Sequence, residues 1–237
     1  MEENGFSRNL TSLAYEQLRA HILGGELGPN ERLRIQSLSE RYDIGPTAIR
    51  EALSRLVTEG LVATEDQRGF FVSPVSRDEL QDLTKTRTWV EQAALRMSIE
   101  QGDLEWETAV LGSFHRLSRL SAPSDDPANA DAWKAAHRQF HFALLGGCRS
   151  PWTVKLCAML YDQTERYRNL SGRTKSAKTR NVLTEHQHLM DTVLARNADH
   201  ACELLARHFL STTNIILEVG IVGETSRESR PGRKKAA

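Results

Sequence analysis

Long apolar runs are missing from this 237-residue chain. No stretch approaches the ~18 residues that a membrane-crossing helix needs. The best run, Ile215 to Val222, is short and interrupted by Glu218 and Gly220. A charged-then-apolar leader is missing too. Met1 to Arg8 are polar, so no secretory signal is expected and a cytoplasmic location is. Cysteine is scarce: Cys148, Cys157 and Cys202 are an odd number without a CxxC pair. That argues against a disulfide framework and for reduced, buried thiols. Neither sign of charge is in excess, since 31 Lys and Arg balance 31 Asp and Glu. Any nucleic-acid face must therefore arise by local segregation of charge. No phosphate loop and no nucleophile motif is found, which leaves little for an enzyme to work with.

Hydrophobic residues make up 39% of the chain, enough for a real core. Its texture changes twice. Residues 1–75 are short periodic segments separated by turn residues, residues 76–221 show long helical periodicity, and residues 222–237 are a polar tail ending in Arg230-Pro-Gly-Arg-Lys-Lys. The tail is expected to be disordered. In the first region a helix is predicted over 10–24, capped by Thr11 or Ser12 and ended by Gly24-Gly25. A short helix follows from Ser37, its expected cap, to Tyr42. Asp43-Ile44-Gly45 is a tight turn, and a helix runs from Pro46 to Glu59. Residues 61–64 and 70–72 then read as two strands with a turn over Asp66 to Gly69. This order is that of a winged helix-turn-helix, in which the short turn lets the second helix enter the major groove. In the second region helices are predicted over 76–101, 104–121, 128–147, 151–171, 177–196 and 199–219, with Asp199 capping the last. The fold class is thus mainly α: a winged helix with a β-hairpin wing, followed by an antiparallel bundle of about six helices.

Histidine placement is the main chemical signal. His137 and His141 are four apart on one predicted helix and share a face. His186 and His208 lie on two later helices. One divalent ion could be held by all four, and neutral imidazole suits Zn, Ni, Cu or Fe(II). The same spacing also fits four unrelated buried or surface histidines. Arg87 stands four before Glu91, as either an anion anchor or an ion pair on a wet surface. Glu185 adjoins His186, but neighbouring helical side chains diverge by about 100 degrees, so it is poorly aimed as a catalytic base. Trp89, Trp106, Trp133 and Trp152 are read as core or dimer-face residues, and His188, His200, His21 and His115 as bland.

Pro46-Thr-Ala-Ile-Arg-Glu-Ala-Leu-Ser-Arg-Leu-Val-Thr-Glu-Gly-Leu-Val62 resembles the recognition helix of the GntR family, as does the preceding Leu27-Gly-Pro-Asn-Glu-Arg-Leu-Arg34. Arg68-Gly-Phe-Phe-Val72 resembles its wing. The resemblance implies that Thr47 and Arg50 face the groove, that Arg34 or Gln36 contacts the DNA backbone, and that Arg68 and Gly69 touch DNA at the wing tip. Where the family often has Ser-Arg, this chain has Gly45-Pro46. Arg55 is read as solvated. Residues 1–75 carry eight Arg, no Lys and eleven acids, 8 − 11 = −3, a balance that runs against DNA binding.

Phe140-His141, Glu185-His186 and Ala201 to His208 resemble the ligand pattern of the FCD effector domain of FadR-like GntR regulators. The resemblance implies metal ligation by His137, His141, His186 and His208. The family's usual Asp is replaced by His137, which shifts the expected metal towards Zn or Ni. The stretch His137 to Cys148, and onward through Tyr167-Arg168, is similar to a branch that represses glutarate and γ-aminobutyrate catabolism. By that likeness the effector is a small carboxylate such as glutarate or 2-hydroxyglutarate. An arginine would fix its far end, with Arg87 the leading candidate and Arg166 and Arg168 further ones that otherwise read as solvated. The expected protein is a homodimer on a pseudo-palindromic, double-stranded operator. The alternatives are a regulator for which the metal itself is the signal, and a metal-dependent enzyme.

Overall fold

The computed structural model describes residues 3–65, 68–120, 127–171 and 180–221. The expected tail over 222–237 lies outside them, as do part of the wing turn and the start of the helix predicted from 177. The described chain is mainly helical, with one small sheet. It falls into two compact units, divided between Asp78 and Glu79.

The first unit opens with α1, Glu3–Gly24, which starts well before the predicted cap. Thr11 does not cap it. Its hydroxyl donates to Glu51 at 2.8 Å, and the helix runs straight through that position. Strand β1, Arg32–Leu33, follows, then α2, Ile35–Tyr42, and α3, Pro46–Thr58. α2 begins two residues ahead of Ser37, with Arg34 in the N-cap position and extended. Asp43 closes it in the left-handed region (φ 53°), which turns the chain into α3, and Pro46 suits the first turn because it has no N–H to leave unpaired. Strands β2, Val62–Glu65, and β3, Gly69–Val72, form the hairpin. The sheet has a third strand beyond the two that the sequence predicts. β1 pairs with β3, Arg32 opposite Phe71 and Leu33 opposite Phe70, giving the order β1-β3-β2. Leu18, Ile22, Leu33, Ile49, Leu53, Leu56, Leu61 and Val72 bury completely or nearly so around these elements. That burial of apolar area is the main favourable term holding the unit together.

The second unit is built from α4, Arg77–Gln101; α5, Leu104–Ser118; α6, Ala130–Leu145; α7, Pro151–Leu170; α8, Val182–Leu194; and α9, Ala198–Val219. α8 starts at Val182, with Asn181 as its cap. The cap of α9 is Asn197, whose side chain accepts from His200 N–H at 3.2 Å. Asp199, the expected cap, sits in the first turn and pairs with Arg96 instead. Leu95, Val110, Phe140, Cys157, Leu189, Val193, Leu205 and Phe209 line one continuous core. Trp106 and Trp133 belong to it, whereas Trp89 and Trp152 are 71% and 75% exposed. The three cysteines are free and buried. Close backbone approach at the end of α4 requires glycine. A Cβ on Gly102 would lie 2.1 Å from the Trp106 ring, and one on Gly147 would lie 2.7 Å from the Ser98 carbonyl. Arg196 locks the same corner by donating to the carbonyls of Ile99 and Gly102. No helix is long and apolar enough to cross a membrane among the described residues.

Candidate metal centre and DNA-facing surface

Two polar groups interrupt the apolar interior of α6. His137 and His141, one turn apart, both point inward and are 3% and 2% exposed. His186, in the first turn of α8, and His208, midway along α9, are buried opposite them. Ring centroids are 4.6 Å apart for His137 and His141, 4.7 Å for His186 and His208, and 5.3 Å for His141 and His208. Each residue offers one ring nitrogen, and these four atoms all lie within 4.8 Å of one another. The Nε2 atoms of His141 and His186 are 3.3 Å apart. Two nitrogens on one tetrahedral zinc lie about 3.3 Å apart, since Zn–N is about 2.0–2.1 Å.

Burial keeps all four rings neutral. Desolvation is the main cause that lowers each pKa; Arg168 adds to it at all four, neighbouring rings at His137, His141 and His186, and Arg180 at His186 and His208. His208 is pulled down to about 4 against the attraction of Glu185. Neutral imidazole is the ligating form, so the donor set fits a borderline cation.

The surrounding contacts orient the rings. Glu185 accepts from His208 Nδ1–H at 2.9 Å. That tautomer leaves the Nε2 lone pair of His208 free. Arg180 holds the carboxylate with two bonds and also donates to the His208 carbonyl at 3.0 Å. It lies 3.0 Å from His208 Nδ1 as well, but that proton already serves Glu185. These contacts hold the Glu185 pKa down to about 2. His137 Nδ1 is 3.0 Å from the Tyr161 hydroxyl, and the His137 ring stacks on Trp133 at 4.6 Å. His141 and His186 each leave Nδ1 buried without a partner among the described residues. Arg180 and Tyr161 are not among the residues that the sequence singles out. Glu185 was judged only for its angle to His186, and its contact is with His208 on another helix.

Two of the arginines expected to anchor an anion have partners. Arg87 donates to Glu91 at 2.6 Å as the i,i+4 pair that the spacing suggests, but the pair is buried, not wet. Its guanidinium lies 4.0 Å over the Phe209 ring. Arg168 pairs with Glu165 at 3.0 Å and lies over Trp133. His188 and His200 are exposed, as expected of bland residues. His21 does have company: its Nδ1 lies 2.5 Å from the Tyr42 hydroxyl.

In the first unit, Thr47, Arg50, Arg34, Gln36, Arg68 and Gly69 are all exposed. Gln36 donates to Glu40 and Arg68 to Glu65. Arg55, read as solvated, is stacked 3.9 Å over Tyr15. Tyr15 in turn donates to Glu59, which also pairs with Arg19. Several of the acids that burden this unit are thus engaged with α1 or with their own neighbours.

The model of the bacterial regulatory proteins of the gntR family matches residues 10–72, and that of the FCD domain matches residues 82–211. The chain is 42% identical over 217 residues to the HTH-type transcriptional regulator BphR of Paraburkholderia xenovorans (strain LB400), covering 91% of this chain and 88% of that one. It is 36% identical to the HTH-type transcriptional repressor GlaR of Escherichia coli (strain K12), covering 87% and 96%. The solved structure of E. coli McbR/YncC matches with a TM-score of 0.73 at 19% identity over 88% of this chain and 97% of that one, a likeness of fold.

Proposed function

The chain belongs to the GntR family of bacterial regulators with an FCD domain, so it is a DNA-binding transcription regulator and not an enzyme; on that footing we propose that it is a repressor released by a small carboxylate bound at a histidine-held metal. One observation carries this reading: four buried, neutral imidazoles on three helices converge within 4.8 Å, an expensive arrangement for a core without a ligand. In this reading His137, His141, His186 and His208 hold zinc or nickel. The ion supplies an electrophilic position for a carboxylate oxygen. Arg87 and Arg168 then face the rest of a C4 to C5 acid such as glutarate or 2-hydroxyglutarate. Their own glutamates, Glu91 and Glu165, would have to share them.

On the DNA side, Thr47 and Arg50 read base edges, Arg34 and Gln36 fix the register on the backbone, and Arg68 and Gly69 reach DNA from the wing. Residues 1–75 are the DNA-binding domain, and 76–221 form the effector and dimerisation domain. Exposed Trp89 and Trp152 suit burial against a second copy, and a two-fold dimer implies a pseudo-palindromic operator. The acid acts by binding one arrangement of the dimer better than the other.

The paired state of Arg87 and Arg168 favours one second reading, in which the metal alone is the signal. A single titration separates the two. Metal-loaded protein is bound to its own promoter DNA at fixed salt, and dicarboxylates are added. Release by a C4 to C5 acid, lost in His141→Ala or His208→Ala while DNA binding persists, supports the proposal. DNA binding that follows metal concentration and ignores every acid supports the second reading.

A further inference from the structure

The inward face of α4 changes character halfway along. Ala94, Leu95 and Ile99, in its second half, belong to the continuous apolar core. In its first half the buried positions after Leu80 are Thr84, Arg87 and Glu91, spaced at helical intervals on one face and all polar. This half is the part of α4 nearest in sequence to the hairpin, and the division between the two units falls within its first turn, after Asp78. Directional contacts hold it. The buried Tyr167 donates its hydroxyl to Glu79 at 2.6 Å. The hydroxyl oxygens of Thr84 and Thr213 are 2.7 Å apart, and Thr84 Oγ1 is also 2.7 Å from the Leu80 carbonyl. A hydroxyl has one proton and a carbonyl can only accept, so Thr84 donates to Leu80 and Thr213 donates to Thr84. The Arg87 guanidinium lies over the rings of Tyr161 and Phe209. These partners come from α7 and α9, the helices that also carry Tyr161, the neighbour of His137, and His208. A half-helix held this way can exchange one set of polar contacts for another with little loss of buried apolar area, as a two-state element must.

We propose that the first half of α4 carries occupancy of the histidine site to the DNA-binding unit, with Tyr167 and Thr213 as the positioning residues that clamp it to α7 and α9. This relay rests on the reading above that the signal binds at the histidines, and it serves metal alone or metal with acid alike. Neither side chain belongs to the histidine set or to the DNA-facing residues. Occupancy favours one arrangement of α7 and α9 over another. The two hydroxyls pass that preference to Glu79 and Thr84, and the helix passes it along the chain to the first unit. Without them α7 and α9 still respond, and α4 no longer follows.

Fluorescence anisotropy of full-length protein on its own promoter DNA at fixed salt tests this in three states: with chelator, with Zn2+, and with Zn2+ plus glutarate. The coupling factor is the ratio of DNA affinities between ligand-free and ligand-bound protein, expected at about 5–150-fold for the wild type. Tyr167→Phe and Thr213→Val should each lower it by about threefold or more, while Zn2+ affinity in chelator competition and ligand-free DNA affinity stay within about twofold. Thr213→Ser, which keeps the donor, should restore it. Wild-type coupling in both Tyr167→Phe and Thr213→Val overturns the relay and leaves the site reading standing. A matching fall in Zn2+ affinity overturns it too, because the hydroxyls then only hold the site together. If neither Zn2+ nor Zn2+ plus glutarate changes wild-type DNA affinity, the site reading falls and the relay with it. Urea unfolding followed by tryptophan fluorescence checks that the variants fold. If Tyr167→Phe does not, Thr213→Val against Thr213→Ser decides.

Discussion

Lowering the pH from 8 to 6 should destabilise the metal-free second unit by an amount that the histidine cluster sets. His137, His141 and His186 are held well below the ordinary value of 6.5, and His208 at about 4, chiefly because burial disfavours the charged ring. Below pH 6.5 the unfolded chain binds protons at these positions and the folded chain does not. Stability therefore falls as pH drops through 6.5, and the share due to His208 stops falling only below about 4. Between pH 8 and 6 each histidine contributes a loss of about 0.8 kcal/mol, and the four together about 3 kcal/mol. At a urea slope of about 2 kcal/mol per molar, the unfolding midpoint should move by about 1.5 M. The assay is favoured by the sequence, because all four tryptophans, at 89, 106, 133 and 152, lie in the second unit. Urea unfolding of chelator-treated protein, followed by tryptophan fluorescence at several pH values, reads that unit alone. Replacing one member, as in His186→Gln, should remove about a quarter of the pH dependence. A midpoint that stays level from pH 8 to 6 would refute the claim that these rings are buried and neutral.

Gly102→Ala should destabilise the second unit by about 2 kcal/mol or more, since the new methyl would meet the Trp106 ring at 2.1 Å; a normal melting curve in the same fluorescence assay would contradict that packing. Glu185→Ala removes the acceptor that fixes the His208 tautomer and should weaken zinc binding by about 10–100-fold in chelator competition, with acid-free DNA binding retained. Unchanged zinc affinity would show that His208 needs no orienting partner. Arg50→Ala should weaken operator binding and lower its salt slope by about one if the contact is to phosphate. Arg55→Ala should instead cost about 0.5–1 kcal/mol of stability through loss of the Tyr15 stack, seen by circular dichroism. A large DNA defect from Arg55→Ala with intact stability would reverse those two assignments.

Local periodicity was enough to read the helical bundle, the helix-turn-helix and the hairpin, because apolar spacing, Pro46 and the glycine stops act within a few residues. It also placed His137 and His141 on one face, since four residues make about one turn. Short-range rules failed where a long-range partner took over. Thr11 lies inside α1 because Glu51 on α3 receives its hydroxyl. Leu33 forms a strand because Phe70 lies opposite it. Asn197 caps α9, and Asp199 pairs across to Arg96 instead. The site shows the same division. That His186 and His208 meet the α6 pair depends on how α6, α8 and α9 pack. That Glu185 reaches His208 and not its own neighbour depends on the direction of a side chain across an interhelical gap. Whether Arg87 is wet or buried depends on Phe209, more than a hundred positions away. Sequence determined which residue types lie on which helical faces, because that is fixed by the repeat of the backbone. Only tertiary structure decided which faces share one buried, low-dielectric space, and therefore which of those residues must be neutral, paired or charged.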